Sequence, residues 1–165
     1  MCHLELIVKI LRDYKMNKPT ILIDTREQMP YSFRASVNLE GVEVIKLDFG
    51  DYAVKDELDL ITIERKKSVI ELCGNIGKNR KRFERELERM QEAKRRIVLV
   101  EDYWSSLTKK QRFTRMPPNA VFESIIALEL KYGVHFILAG TRPMAQRIAR
   151  SLLVKAYKYR QEGIL

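Results

Sequence analysis

A chain of 165 residues, 45% hydrophobic and 32% charged, is long enough for one domain with a packed core. No apolar run reaches the ~20 residues of a membrane-spanning helix, and no signal-peptide pattern opens the chain, which points to a soluble, cytoplasmic protein with no membrane partner. Two cysteines, Cys2 and Cys73, without a C-x-x-C pair or a His at zinc spacing, exclude a disulfide scaffold and a zinc module.

The net charge is +9 and is unevenly placed. Residues 1–63 hold 8 basic and 11 acidic side chains (−3), residues 64–116 hold 16 and 8 (+8), and residues 117–165 hold 7 and 3 (+4). A basic block of that kind beside carboxylates suits a polyanion held by cations while a metal acts on its phosphodiester.

In chain order, residues 4–16 predict an amphipathic helix with Leu4, Ile7, Leu11 and Tyr14 on one face. Ile21-Leu22-Ile23 is an apolar strand running into Asp24-Thr25-Arg26-Glu27, followed by a proline-punctuated loop at 28–33. Val42 to Leu47 alternates apolar and charged residues, as a half-buried strand does. Gly50-Asp51 is a turn or bulge before the strand Tyr52-Ala53-Val54. The turn Lys55-Asp56-Glu57 folds that strand back on 59–66. Four strands in so short a stretch predict an antiparallel meander that gathers Asp24, Asp51 and Glu64 on one edge of the sheet. Because strand side chains alternate, Thr62, Glu64 and Lys66 share a face while Ile63 and Arg65 take the other.

Beyond Lys66 the period becomes helical. Gly74-Asn75-Ile76-Gly77, followed by Lys78, Arg80, Lys81 and Arg82, admits three readings. These are a phosphate-binding helix start, a helix-hairpin-helix turn, and a plain helix–helix turn. Residues 79–95 predict a helix whose buried stripe is Phe83, Leu87 and Met90. Ile97 to Glu101 is a continuous apolar strand buried on both faces. The basic loop 103–118, with Trp104, Lys109, Lys110, Arg112 and Arg115, is either a DNA-contacting loop or a surface crossover. Asn119 is the expected cap of a helix over 120–132. That helix carries two apolar stripes, Val121/Ile125/Leu128/Tyr132 and Phe122/Ile126/Leu130, and Gly133 stops it. The strand 134–138 holds His135, read as structural, and Pro143 opens a last helix over 143–160. Strands separated by helices from residue 97 onward predict a parallel half of the sheet.

Asp24-x-Arg26-Glu27, Gly50-Asp51 and Glu64-Arg65-Lys66, in that order, resemble the nuclease domain of the XPF family (ERCC-type) of structure-specific DNA endonucleases. The resemblance covers roughly residues 20 to 140. It implies an α/β restriction-endonuclease-like fold, a mixed central sheet flanked by helices. Residues 17–165 then form the nuclease domain and 1–16 an extension, with Met16 an alternative start. The size suits a stand-alone bacterial or phage-like version. It implies a Mg²⁺- or Mn²⁺-dependent DNA endonuclease acting on branched or otherwise structured DNA. The catalytic residues would be Asp24, Glu27, Asp51, Glu64 and Lys66. Asp24, Asp51, Glu64 and the Arg65 carbonyl would hold the metal. Arg26, Arg65, Lys78, Arg80, Lys81 and Arg82 are the candidate DNA contacts, with Arg26 and Arg65 also candidates for structural pairing with the acids. The family's last acid falls at Ile70, so either Glu71 replaces it or the position is dispensable. Pairing of nuclease domains is expected, giving a homodimer through helix 120–132 and the last helix; a separate targeting partner is left open. The alternative is a non-catalytic DNA-binding module on the same fold.

Overall fold

The computed structural model describes residues 18–35, 37–111 and 114–165. The expected helix 4–16, Met16, Cys2 and Arg112 lie outside the described residues. The six strands are β1 (Thr20–Asp24), β2 (Gly41–Ile45), β3 (Tyr52–Val54), β4 (Ile61–Lys66), β5 (Arg95–Val100) and β6 (His135–Leu138). The helices are α1 (Val69–Ile76), α2 (Arg80–Met90), α3 (Pro118–Tyr132) and α4 (Arg142–Gln161), with a 3₁₀ turn at Trp104–Thr108. The strands form one mixed sheet in the order β2-β1-β3-β4-β5-β6. β3 runs antiparallel to both β1 and β4, and β4, β5 and β6 are parallel.

Alternation along the strands divides the core in two. Ile21, Ile23, Tyr52, Val54, Ile61, Ile63, Ile97 and Leu99 face α4, which meets them with Ala145, Ala149, Leu153 and Ala156. Three alanines in that stripe let the helix lie close to the sheet. On the other face Val98, Val100 and Phe136 pack against Val69, Leu72, Ile76, Phe83, Leu87, Met90, Val121, Ile125, Leu128 and Tyr132 of α1 to α3. Each such side chain, fully buried, contributes about 1.5–3 kcal/mol. β5 is thus covered on both sides, as its unbroken apolar run requires.

The antiparallel meander is corrected at β2, which lies parallel to β1 at the sheet edge. The 25–40 connection carries Tyr31, Phe33 and Leu39 into the core and returns the chain to the start of β1, where Glu40 N–H donates to the Pro19 carbonyl. β2 therefore sets out in the same direction as β1. As an edge strand it leaves Val44 64% exposed, less buried than its alternation suggests. Helix 79–95 is shortened to Arg80–Met90, because Lys94 N–H donates to the Asp59 carbonyl and Arg95 N–H to that of Leu60, drawing the chain into β5. α3 starts two residues before the expected position. Pro117 is its N-cap and Pro118 its first residue, where a missing N–H costs nothing, so Asn119 lies inside the helix. Gly133 closes α3 at φ +60° as expected.

The Gly74–Gly77 stretch closes α1 ahead of α2. α1 runs through Gly74, and the Gly77 N–H donates to the Cys73 carbonyl as the helix C-cap. In the second apolar stripe of α3, Phe122 is 43% and Leu130 83% exposed, while Ile126 is half-buried.

Candidate active site

One end of the sheet collects the functional groups because β3 runs against its neighbours. The C-terminal ends of β1 and β4 therefore meet the N-terminal end of β3. The register that pairs Tyr52 with both Ile23 and Ile63 sets Asp51 beside Asp24 and Glu64. Gly50 makes the entry to β3 possible. It holds φ +69°, and a Cβ there would stand 2.1 Å from Thr62 Oγ1. The bulge is pinned by Asp51 N–H to the Ile63 carbonyl (2.8 Å) and Asp24 N–H to the Asp51 carbonyl (2.9 Å). Arg65 N–H then donates to Asp51 Oδ2 at 2.7 Å, so the backbone of β4 fixes the carboxylate.

Lys66 and Glu64 share a face as their spacing predicts, with Nζ to Oε1 at 2.7 Å. Lys66 lies over the Phe83 ring, its ammonium 5.1 Å from the centroid. Burial, then the charge of Glu64, pushes the Asp51 carboxyl up to about 8. Burial also raises Glu64, against the opposing pull of Lys66. Burial would lower the Lys66 ammonium, but the charge and hydrogen bond of Glu64 outweigh it and hold it protonated. Two carboxyls that resist ionising together, beside one ammonium, form a site short of positive charge.

These groups open into a cleft of about 470 Å³ whose walls include Glu27, Asp51, Glu64, Lys66, Glu71, Arg26, Arg82 and Arg89. Asp24, expected as a further metal ligand, is not among the residues lining this cleft. Its carboxylate is 1% exposed and accepts from the N–H groups of Arg26 and Leu47 and from Arg26 Nε and Nη2, at 2.7–3.0 Å. The loop at Leu47 has folded over it, covering Leu22 and Ala53. Burial raises its carboxyl, but the hydrogen bonds from Arg26 and Leu47 carry it below the usual range. Asp24 is the cap that shapes the turn behind Asp51.

Arg65 points to the opposite face. Nε donates to Glu101 Oε1 (2.6 Å) and Nη1 to Glu27 Oε1 and the Met29 carbonyl (3.0 Å each), with 7% of the side chain exposed. Of its two candidate roles, structural pairing is the one this geometry fits. Glu27 also accepts from Met29 N–H at 2.8 Å, which holds its carboxylate at the cleft wall. Arg26, 58% exposed, reaches Asp24 and the Leu47 carbonyl from the cleft rim. Arg82 lines the cleft; Lys78, Arg80 and Lys81 do not, and Arg80 is paired with Glu84 at 2.7 Å.

The missing acid has a partial answer. Ile70 is 44% exposed and turned away, whereas Glu71 lines the cleft. Glu71 also caps α1: its N–H donates to Ser68 Oγ (3.2 Å) and its Oε2 accepts from Lys67 N–H (3.0 Å). Reasoning from the sequence missed Lys67, Asn75, Asn79 and Arg89 in the cleft, and Glu101 beneath it. Arg89 was within reach, seven residues after Arg82 on the same helix. Glu101 directly follows β5, one residue beyond the Val100 that pairs with Lys66.

No group of three or more acidic, histidine or cysteine side chains converges as a metal cage among the described residues. The donor set nonetheless fits a hard divalent cation of the Mg²⁺ type, which takes one or two carboxylates and completes its shell with water and substrate phosphate. Asp51, its Oδ2 held by Arg65 N–H, and Glu64, beside Lys66, line the same cleft, and this placing of two carboxylates supports the fit.

The model of the ERCC4 domain matches residues 23–152, most of the chain and all of the motifs above. The chain belongs to the ERCC4 domain family. Its fold is accordingly that of the XPF-type nuclease domain, the restriction-endonuclease-like sheet expected from the motifs. Similar solved structures agree. XPF from Aeropyrum pernix superposes with a TM-score of 0.60 at 20% identity, covering 88% of this chain and 68% of that one. The same protein in complex with DNA gives 0.61 at 20%, covering 86% and 66%. This ERCC4 domain thus spans about two thirds of the length of those chains. Among curated proteins, none matches the sequence. No helix among the described residues is long and apolar enough to cross a membrane.

Proposed function

We propose that this ERCC4 domain is a divalent-metal-dependent DNA endonuclease acting on branched or otherwise structured DNA. The observation that carries the reading is the half-buried Asp51–Glu64 pair, with Lys66 at 2.7 Å from Glu64, lining an open cleft. Asp51 and Glu64 would hold Mg²⁺ or Mn²⁺, with the Arg65 carbonyl as the family resemblance implies. When bound, such an ion activates water and neutralises charge developing on the phosphate.

The chain's own residues do the rest. Lys66, kept protonated by Glu64, presents a fixed positive charge to the phosphate that the cleft receives. Arg65 N–H fixes Asp51 so that no reorganisation is needed during reaction. Glu27 borders the cleft and can hold a water; Glu71 supplies the acid that Ile70 does not. Arg26 and Arg82 at the rim and Arg89 on the wall are the phosphate contacts, and Lys78 and Lys81 extend the positive surface beyond it.

The test is incubation with duplex, flap, fork and single-stranded DNA, with and without Mg²⁺ or Mn²⁺, alongside Asp51→Asn and Lys66→Ala. Metal-dependent cutting of a branched substrate is expected, abolished by Asp51→Asn and slowed roughly 10²–10³-fold by Lys66→Ala. Binding in Ca²⁺ should survive both changes, because the basic surface is untouched. A wild type that binds DNA but never cuts would instead support a non-catalytic DNA-binding module.

A further inference from the structure

We propose that Arg142, at the start of α4 and outside every motif above, is a positioning residue that holds the Glu27 wall of the cleft in place. Its guanidinium bridges three elements. Nη1 donates to Glu101 Oε1 at 3.2 Å, and Nη2 donates to the carbonyls of Met29 (2.8 Å) and Pro30 (2.9 Å). The Glu101 oxygen it meets is the one that Arg65 Nε holds at 2.6 Å, and the Met29 carbonyl is the one that Arg65 Nη1 reaches at 3.0 Å. Two guanidiniums therefore share one carboxylate oxygen and one carbonyl, and the second of them also binds Glu27.

Tyr31 completes the arrangement. Both guanidiniums lie over its ring, at 5.3 Å for Arg65 and 5.2 Å for Arg142, and Tyr52 stacks on it at 5.1 Å. One turn along α4, Gln146 Oε1 accepts from Ser32 N–H at 3.1 Å. The loop 27–33 has no regular structure of its own, so these ties from a helix more than a hundred residues away set where Glu27 stands. A planar fork suits the task, because one side chain must satisfy two carbonyls and a carboxylate at fixed angles. Arg142 does not line the cleft, so it acts through Arg65, Glu101 and the loop rather than on DNA.

The inference deepens the nuclease reading, and only its kinetic arm rests on that reading. Hydrogen exchange of the 27–33 amides is measured in wild type, Arg142→Ala, Arg142→Lys and Arg160→Ala. Arg160 is the control: it holds Glu57 (3.1 Å) and Asp59 (3.4 Å) at the far end of the sheet. Arg142→Ala should speed exchange at Met29, Tyr31 and Ser32 by at least tenfold, Arg142→Lys by less, and Arg160→Ala not at all. In the cleavage assay Arg142→Ala should lower kcat roughly 10–100-fold, the range for removing a group that orients reacting residues, with KM for DNA within about twofold. Arg142→Lys should recover part of that loss, since an ammonium replaces one arm of the fork. If Arg142→Ala does not fold, Arg142→Lys and Gln146→Ala carry the same comparison. Wild-type exchange at 27–33 in a folded variant, or a loss confined to KM, would overturn the assignment. A wild type that never cuts removes the nuclease reading while the exchange data still decide the role of Arg142.

Discussion

Replacing Gly50 with alanine should destabilise the protein through one identifiable contact. The added methyl would sit 2.1 Å from Thr62 Oγ1 and 3.3 Å from the Ile63 carbonyl, in a residue held at φ +69°. The left-handed backbone alone costs a side chain about 1–2 kcal/mol. Forcing a methyl into a packed site adds about 1–3 kcal/mol. Gly50→Ala is therefore expected to lose about 2–5 kcal/mol. The clash falls on a hydroxyl that is buried and has no hydrogen-bond partner among the described residues. Thr62→Ala removes it and leaves the Thr62 Cβ at 3.4 Å as the nearest side-chain contact. In that background Gly50→Ala should cost only the backbone part, about 1–2 kcal/mol, so the double-mutant cycle yields a coupling of about 1–3 kcal/mol. Thr62→Val is the control: it keeps the shape, should be near neutral because an unsatisfied hydroxyl is lost, and should not rescue Gly50→Ala. The measurement is metal-free urea unfolding followed by far-UV circular dichroism, comparing midpoints at constant m. Equal costs of Gly50→Ala in the wild-type and Thr62→Ala backgrounds would refute the steric account of this glycine.

Four further outcomes follow from the same geometry. The Asp51 carboxyl is raised to about 8 from an ordinary 3.8, so its contribution to stability is present below about pH 4 and is lost as pH climbs to about 8. Metal-free wild type should fall in stability over that window while Asp51→Asn stays flatter, and Mn²⁺ should restore the wild type at the upper end; parallel pH curves sink this. Glu71→Gln keeps an oxygen to cap α1 yet removes the charge, so unfolding should be unchanged while cleavage drops nearly as far as for Asp51→Asn; an unaltered cutting rate makes Glu71 a cap only. Binding to DNA should weaken with salt at a log–log slope of roughly −4 to −5 if about 5 phosphates are neutralised, and a flat response argues against a cationic interface. The exposed Phe122 and Leu130 on α3 should seat a second copy of the chain, so Leu130→Asp should convert a dimer to a monomer by light scattering without unfolding it; a wild-type monomer at tens of micromolar removes the dimer.

The motif residues and their faces could be read from the sequence because strand alternation is local. Glu64 and Lys66 must project together, and Arg65 must project away, whatever the rest of the chain does. Local periodicity likewise placed β5 between two layers and gave α2 its Phe83–Leu87–Met90 stripe. What each polar group is paired with is not local, and only the tertiary structure decided it. Asp24 has the same sequence standing as Asp51, yet a loop twenty-three residues later puts its Leu47 N–H on one carboxylate and leaves the other open to the cleft. β2 looks like one more arm of a meander until the buried Tyr31, Phe33 and Leu39 turn the chain back and make it parallel. Arg142 carries no signal in its own neighbourhood, and Glu101 only its place at the end of β5. Their roles arise because parallel strands and a returning helix bring distant chain to the same end of the sheet, where a carboxylate or guanidinium taken out of water must find its partner.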